Sequence, residues 1–351
     1  MEEKRESGIY MGESYVFWNN KGGTGKTSLA FQTVTMYAEC HESEKILVVD
    51  LCPQANLSEL LLGGLLGGGA INLISLFNEK RATIGGYFQD RLPSPFTFPA
   101  DINVYDYLTK PNDFNKFIPS NIFLLAGDPI VELQTNSIAT LANTQIPGTD
   151  TWIAIVDWLN DFIKKTGKEF DTIFIDCNPS FSIYTQIAIA SGTRLLLPVM
   201  ADDSSRRALQ NVFSLIYGIK MPSEIYQQYS FSSKMKNAGR RLPQIHLIIK
   251  NRLTQYMVVA SAYNSVLSSI DEEVKKIIGI NPELFTFKNV EDGMREVRDF
   301  QTTGVVAFAE ATPFTQVKPG KHKIFKKKPT VRADYLRNCI EAMDKVVDSL
   351  K

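Results

Sequence analysis

Three short stretches carry residues whose types and spacing could do chemistry on a phosphorylated ligand. The first is Lys21-Gly22-Gly23-Thr24-Gly25-Lys26-Thr27-Ser28. Its glycines let the backbone turn N–H groups inward with no Cβ in the way. Lys26 can place its charge on β and γ phosphates, and the Thr27 hydroxyl suits Mg2+. A helix opening at Ser28 would aim its positive dipole end at the same phosphates. This is a P-loop for ATP. It departs from GxxxxGK[ST] in two ways: Asn20 stands where the first Gly belongs, and an extra lysine, Lys21, opens the run. The other two stretches each end an apolar run in a carboxylate. Asp50 follows Lys45–Val49, and Asp176 follows Thr172–Ile175. A carboxylate just past an apolar strand, at the carboxyl edge of a parallel sheet, lies where ligands bind. Either could hold Mg2+ directly or through water, and either could be an ordinary turn residue. The P-loop upstream favours Asp176 for the metal side. Asn251, just past the apolar run Gln244–Lys250, is the candidate adenine contact on the same logic.

Those residues need a sheet to position them. Tyr15–Trp18 reads as a strand, and Ser28–Glu39 has helical spacing. Lys45–Val49, Asn121–Gly127, Thr172–Ile175, Arg194–Val199, Gln244–Lys250 and Leu284–Phe287 read as further strands. Thr151–Lys165, Ile183–Ala190, Arg206–Tyr217, Ala260–Ile278, Asp292–Gln301 (stopped near Gly304) and Ala333–Leu350 read as helices. Gly63–Gly69 reads as flexible, Arg91–Asp101 as a proline-rich loop, Ser223–Arg241 as a polar loop or hairpin, and Lys318–Pro329 as a basic loop. Continuous apolar strands alternating with helices predict α/β: a single doubly wound, mostly parallel sheet with helices on both faces. The expected organisation is one P-loop domain over 1–351, with an insert-like region at about 63–148.

Composition narrows the function classes. The chain has 351 residues, with 38 Lys plus Arg balancing 38 Asp plus Glu. Bulk charge therefore implies neither nucleic acid nor anionic membrane, and such binding must come from a local patch. Cys40, Cys52, Cys177 and Cys339 form no CxxC pair or zinc-type cluster, so free thiols in a reducing cytoplasm are expected. Met1–Glu13 is too polar for a signal peptide, and no apolar run approaches the roughly 20 residues of a membrane span.

With these motifs in hand, the chain resembles the ParA/MinD group of deviant-Walker-A ATPases, closest to ParA. Three segments carry the resemblance: Asn20–Ser28 (NKGGTGKTS), Ile46–Ser58 (ILVVDLCPQANLS) and Phe170–Ser180 (FDTIFIDCNPS). Leu195–Pro198 and Val290–Phe308 fit the later part of a ParA pattern. The resemblance implies ATP and Mg2+ as cofactors and an ATP-dependent sandwich homodimer. In that picture Lys21 is the signature lysine reaching the partner's nucleotide, as an arginine finger does. Lys26 acts in cis, Thr27 and Asp176 handle Mg2+, and Asp50 sits near the metal's water shell. The family's usual DxDPQ segment has a second Asp that positions the attacking water. Here that residue is Cys52, a thiol that accepts hydrogen bonds weakly and is mostly protonated at neutral pH. Hydrolysis is then either slow, with Asp50 or a partner supplying what is missing, or negligible.

ParA relatives bind DNA non-specifically and work with a ParB-like adaptor, so clusters of positive charge become candidates. These are Arg206 and Arg207, Arg240 and Arg241, Arg295 and Arg298 (expected to share one helix face), and the stretch Lys318–Lys328. That stretch holds six lysines, among them Lys321, Lys323, Lys326, Lys327 and Lys328. A MinD-like membrane helix at Ala333–Leu350 is disfavoured by Glu341, Asp344 and Asp348 on its polar face. The expected setting is cytoplasmic, on the nucleoid if DNA binding holds, with no membrane partner. A nitrogenase-reductase-like electron carrier would need cluster-ligating cysteines, which Cys177 alone does not supply.

Overall fold

The computed structural model describes residues 12–350, apart from 79, 201 and 254–260. Most of the polar stretch Met1–Glu13, and the expected helix start at Ala260, lie outside them.

All but one of the expected strands pair in one sheet. The first half of the chain gives β1 (Glu13–Phe17), α1 (Lys26–Cys40), β2 (Ile46–Leu51), α2 (Asn56–Leu61), α3 (Gly69–Ser75) and α4 (Ile84–Arg91). It continues with β3 (Leu108–Thr109), β4 (Ile122–Leu125), α5 (Ile130–Asn143), α6 (Thr151–Val156), α7 (Trp158–Lys165) and β5 (Thr172–Cys177). Then come α8 (Ile183–Ala190), β6 (Arg194–Met200), α9 (Asp203–Tyr217), α10 (Glu224–Gln228), α11 (Phe231–Asn237) and β7 (Gln244–Leu253). The last part is α12 (Ser261–Ile280), α13 (Val290–Gly293), β8 (Met294–Arg298), α14 (Gln301–Ala309), β9 (Gly320–Lys321), β10 (Thr330–Val331) and α15 (Ala333–Val347). Eight strands form the main sheet in the order β3-β4-β2-β5-β1-β6-β7-β8. All neighbours are parallel except β3, which runs antiparallel to β4. Parallel neighbours require crossovers, and these place helices on both faces.

Alternation along the central strands divides the core in two. Val16, Val49, Ile175 and Leu197 pack on one face with Ile187 of α8 and Leu209 of α9. Phe17, Val48, Phe174 and Leu196 pack on the other with Leu29 and Val34 of α1 and Met343 of α15. Register then sets the site. In β2 and β5, Asp50 stands directly opposite Asp176, and in β1, Phe17 stands opposite Asp176. The P-loop therefore leaves the sheet just beyond the level of two carboxylates.

Several sequence expectations change. Thr151–Lys165 is two helices, broken at Asp157, whose carboxylate bonds Asn160 and Arg240. Ser223–Arg241 is helical, as α10 and α11, with the Ser230 hydroxyl capping α11 by accepting from Ser233 N. Asp292–Gln301 is mainly the edge strand β8, and the helix α14 begins only at Gln301. Exposed charges on an edge strand discourage pairing with another chain, which is why this stretch reads as polar. Leu284–Phe287 forms a turn with a single bridge from Ile245 to Phe285. The basic loop folds as a β9–β10 hairpin with a further bridge between Ile324 and Lys327. Gly63–Gly69 is a close-packed double turn: a Cβ on Gly64 would meet Ala311 Cβ at 2.8 Å, and one on Gly69 would meet Glu59 O at 2.1 Å.

The 63–148 stretch contributes directly to the core through Tyr87, Phe88, Leu125 and Ile138. Arg91 of α4 is 1% exposed there, with its guanidinium over the rings of Phe98 and Trp158. Its ion-pair partner, Asp161, is 28% exposed at 3.1 Å. Burial pushes the Asp161 carboxyl up more than Arg91 pulls it down. The two halves of this pair are thus unequal. Asp161→Asn should destabilise by about 3 kcal/mol by stranding a buried cation. Arg91→Met, which leaves a carboxylate that water can reach, should cost less than half as much in urea unfolding. Equal losses would refute this asymmetry.

Candidate nucleotide site

The loop between β1 and α1 is held from below by side chains that leave its upper surface open. Asn19 Nδ2 donates to Pro198 O at 2.7 Å, and Asn19 Oδ1 accepts from Lys21 N at 3.0 Å. Asn251, buried at the end of β7, donates from Nδ2 to Thr24 O at 2.9 Å and accepts at Oδ1 from Arg252 N at 2.8 Å. Its amide therefore braces the loop, a role that its position at a strand end did not reveal. A Cβ on Gly25 would sit 2.2 Å from Asn251 Nδ2, and Gly25 has φ +86. Glycine is thus required there by both backbone and space. Gly22 and Gly23 have nothing within 4 Å of a built Cβ. The open side of the loop is where phosphates fit.

Lys26 lies under the loop, donating from Nζ to Asn19 O and Lys21 O at 3.2 and 3.1 Å. Burial lowers its pKa, and the Asp176 carboxylate opposes that shift. Thr27 Oγ1 donates to Asp176 Oδ2 at 2.9 Å, while Asp176 Oδ1 is buried without a hydrogen-bond partner. An orphaned carboxylate oxygen beside a P-loop threonine fits a divalent cation, and Thr27 and Asp176 are the residues that would hold Mg2+. Among the described residues no three His, Cys, Asp or Glu gather as a metal site of their own. Mg2+ typically takes one or two carboxylates together with substrate phosphates, so two protein groups suffice.

Asp50 is differently engaged. Its Oδ1 accepts from Cys52 N at 3.1 Å, and its Oδ2 accepts from Ser58 N at 2.9 Å and Ser58 Oγ at 2.8 Å. Ser58 Oγ in turn accepts from Gly127 N at 2.8 Å. Asp50 thus fixes the segment that carries Cys52 onto α2 and β4. Ser58 is a contributor that sequence reading missed, although it ends the very segment that resembles ParA. Cys52 is buried, and burial pushes its thiol up to about 12. It is a poor candidate base.

Lys21 Nζ is ion-paired with Asp202, just before α9, and donates to Ser205 Oγ at 3.3 Å. Burial would raise the Asp202 pKa, but hydrogen bonds from Lys21, Ser204 and Ser205 win and hold it down at about 2. Arg207 lines a shallow cavity of about 420 Å3 with Asn20 and Lys21, and Arg206 lies beside it on α9.

The other basic candidates are scattered. Arg295 and Arg298 lie on β8, not on a helix. Three residues apart on a strand, their side chains point to opposite faces. Arg295 is committed to the chain's end, donating from Nε to Ser349 Oγ at 2.7 Å and from Nη1 to Met294 O at 2.6 Å. Lys321, Lys323, Lys326, Lys327 and Lys328 are all exposed on the β9–β10 hairpin, and none takes part in an ion pair among the described residues.

A phosphate loop opened by a lysine, above a Thr–Asp pair at the carboxyl edge of a parallel sheet, is what an ATP site of this kind requires. Comparison with known proteins supplies the family. Residues 13–227 match the family model AAA_31, an AAA domain. The chain belongs to this family, as a ParA/MinD-like P-loop ATPase. The chromosome-partitioning ATPase Soj of Treponema pallidum is 25% identical over 198 residues, 55% of this chain and 58% of that protein. The match thus spans little more than half of that relative's length. Two solved structures share the fold. The Cyanothece McdA(D38A)–ATP complex has TM-score 0.60 at 15% identity, covering 97% of this chain and 96% of that one. A Borrelia burgdorferi B31 plasmid partition protein bound to AMPPNP has TM-score 0.53 at 13% identity, covering 96% and 100%. Among the described residues no helix is long and apolar enough to cross a membrane.

Two outcomes follow from the geometry. Gly25→Ala should lower affinity for a fluorescent ATP analogue at least tenfold, and a variant that binds normally would show that the Asn251 brace yields. The second concerns Asp176. Burial, then the neighbouring Asp50 carboxylate, raises its pKa well above the ordinary ~3.9 of Asp. The folded chain therefore keeps a proton that the unfolded chain releases near pH 4, so this carboxyl lowers stability as pH rises above that value. A Mg2+ held by this carboxylate would displace that proton. Calorimetry of Mg-ATP binding in buffers of different ionisation enthalpy should show proton release in wild type and less in Asp176→Asn.

Proposed function

We propose that the chain is a ParA-like ATPase that binds ATP-Mg2+, closes into a nucleotide-sandwich homodimer and then binds DNA without sequence preference. Its task is to partition or position plasmid or chromosomal DNA. The observation that carries this reading is the lysine-opened P-loop over the Thr27–Asp176 pair, with an orphaned carboxylate oxygen ready for a cation. The partitioning role named for the Treponema relative and the ATP-bound state named for the McdA structure support it. In the dimer, Lys21 exchanges Asp202 for the phosphates of the partner's nucleotide, where its charge is useful during phosphoryl transfer. Lys26 serves its own nucleotide. DNA phosphates meet the exposed lysines of the β9–β10 hairpin, with Arg206, Arg207 and Arg298 as further contacts. Arg295 is left out because its guanidinium is already engaged. A ParB-like adaptor triggers turnover. Residues 1–351 act as one domain, cytoplasmic and nucleoid-associated, without a membrane partner.

A second reading has its own observation. Cys52 is buried and held protonated where the family's second Asp would handle the attacking water. The chain is then a nucleotide-gated scaffold that dimerises on ATP, recruits a partner and hydrolyses little.

One set of measurements separates them. Binding to a random-sequence duplex is followed in ATP, in ADP and without nucleotide, over a salt series. The DNA carrier binds only with ATP, and affinity falls steeply with salt. Changing Lys326, Lys327 and Lys328 to Gln should flatten the log–log slope by up to about 3, near 0.9 for each phosphate no longer neutralised. Absence of binding in every state, with ATP dimerisation intact, leaves the scaffold. Cys52→Asp should raise turnover at least tenfold, and an unchanged rate would place water activation elsewhere.

A further inference from the structure

At the amino-terminal edge of the sheet, opposite the P-loop, lies a cleft of about 900 Å3 that the nucleotide chemistry does not use. The first residues of β1, β6 and β7 (Glu13, Arg194 and Gln244) form part of its wall. Three features describe what it would take. Apolar side chains line it, with Ile219, Leu242 and Leu284 coming from three separate segments. Its charge is unequal. Arg194 pairs with Glu13 and Arg240 with Asp157, and Lys164, Lys236 and Arg241 line the cleft without an ion pair among the described residues, against one further carboxylate, Glu283, whose Oε1 accepts from Asn281 Nδ2 at 3.4 Å. One polar group there is unsatisfied. Asn160 of α7 donates from Nδ2 to Asp157 Oδ1 at 2.9 Å and to Ala190 O at 3.2 Å. Those acceptors fix the amide's orientation and leave Oδ1 buried without a partner. A buried acceptor left unpaired costs about 1–3 kcal/mol; Asn160 lines the cleft, and a small shift of its side chain would open the buried Oδ1 to an incoming N–H.

The complementary ligand is anionic, has an apolar face and carries an N–H donor. Inorganic phosphate lacks the last two properties. Duplex DNA is convex and keeps its apolar surface stacked inside, so it matches neither the concavity nor the lining. A short peptide meets all three: carboxylates for the free cations, an apolar anchor for the lining and a backbone N–H for Asn160. We propose that this cleft docks a short acidic segment, with an apolar anchor, from a partner protein. The site is independent of the DNA and ATP readings above, so it can fail or stand without them.

The test uses the full-length protein and fluorescein-labelled decapeptides alternating Glu with Leu, Ile or Phe, beside matched sets with Lys for Glu. Fluorescence anisotropy should show binding of the acidic set alone. A Lys164→Glu/Arg241→Glu variant should weaken it at least tenfold while leaving ATP-analogue binding, which reports the fold, unchanged. Lys236→Gln should weaken it less, and N-methylated acidic peptides, which lack the N–H, should bind several-fold more weakly. The proposal is overturned if the acidic set does not bind, if Lys peptides bind equally well, or if the double variant binds like wild type. It is also overturned if single-stranded oligothymidine, rather than the acidic set, is what the double variant loses.

Discussion

Two buried carboxylates at the same level on adjacent strands are the constraint on which the rest of the site depends. The β2–β5 register puts Asp50 beside Asp176. Bringing both there ionised would cost several kcal/mol per charge without partners. The protein resolves this unequally. Asp50 receives three hydrogen bonds from Cys52 and Ser58, which hold its carboxylate in place. Asp176 receives one from Thr27 and keeps an oxygen unsatisfied. The unsatisfied member is the one beside the P-loop. A cation arriving with phosphates would relieve repulsion that Thr27 and Lys26 offset only in part.

That division of labour was partly legible in the sequence. The P-loop, the apolar runs before Asp50 and Asp176, and most of the strands could be read because buried parallel strands must be continuously apolar. Which Asp keeps a free oxygen could not be read, because it depends on Ser58, eight residues away on α2. Asn251 shows the same limit. Its strand-end position suggested a ligand contact and gave no sign of its bond to Thr24 O, far away in sequence. The expected helix at Asp292–Gln301 failed for another reason: an edge strand exposes charges, so β8 lacks the apolar run that marks its neighbours. The helices α10 and α11 were hidden by polarity, although Ser230 before Phe231 and Met235 is a capping signal that a closer reading could have used.

Lys21 ties the site to a second equilibrium. In the single chain its ammonium is held by Asp202, whose carboxyl lies just before α9 and caps that helix. Any role for Lys21 beyond its own chain must therefore compete with this pair and with the Ser205 hydrogen bond. The pair is partly solvated, with side chains 23% and 40% exposed, so the competition is between modest terms. A weak hold of this kind suits a lysine that changes partners better than a buried pair would.

The same sheet geometry explains why the two ends of the molecule differ chemically. At the carboxyl edge, strand ends and helix N-termini gather N–H donors, and the chain adds carboxylates and lysines beside them. At the amino edge, helices end, and the carbonyl-rich C-termini of α7, α8 and α11 lie near Lys164, Ala190 and Lys236. Negative helix ends already favour cations, so some positive charge at that edge is what any fold of this type would carry. Lys164 and Lys236, in the last turns of α7 and α11, fit that account, and Arg194 and Arg240 are each neutralised by a carboxylate partner. Arg241 exceeds it, beside an apolar cleft with an unsatisfied amide oxygen. Helix-end electrostatics accounts for neither the cleft nor the orphan, which is why the amino edge reads as a second surface with its own ligand.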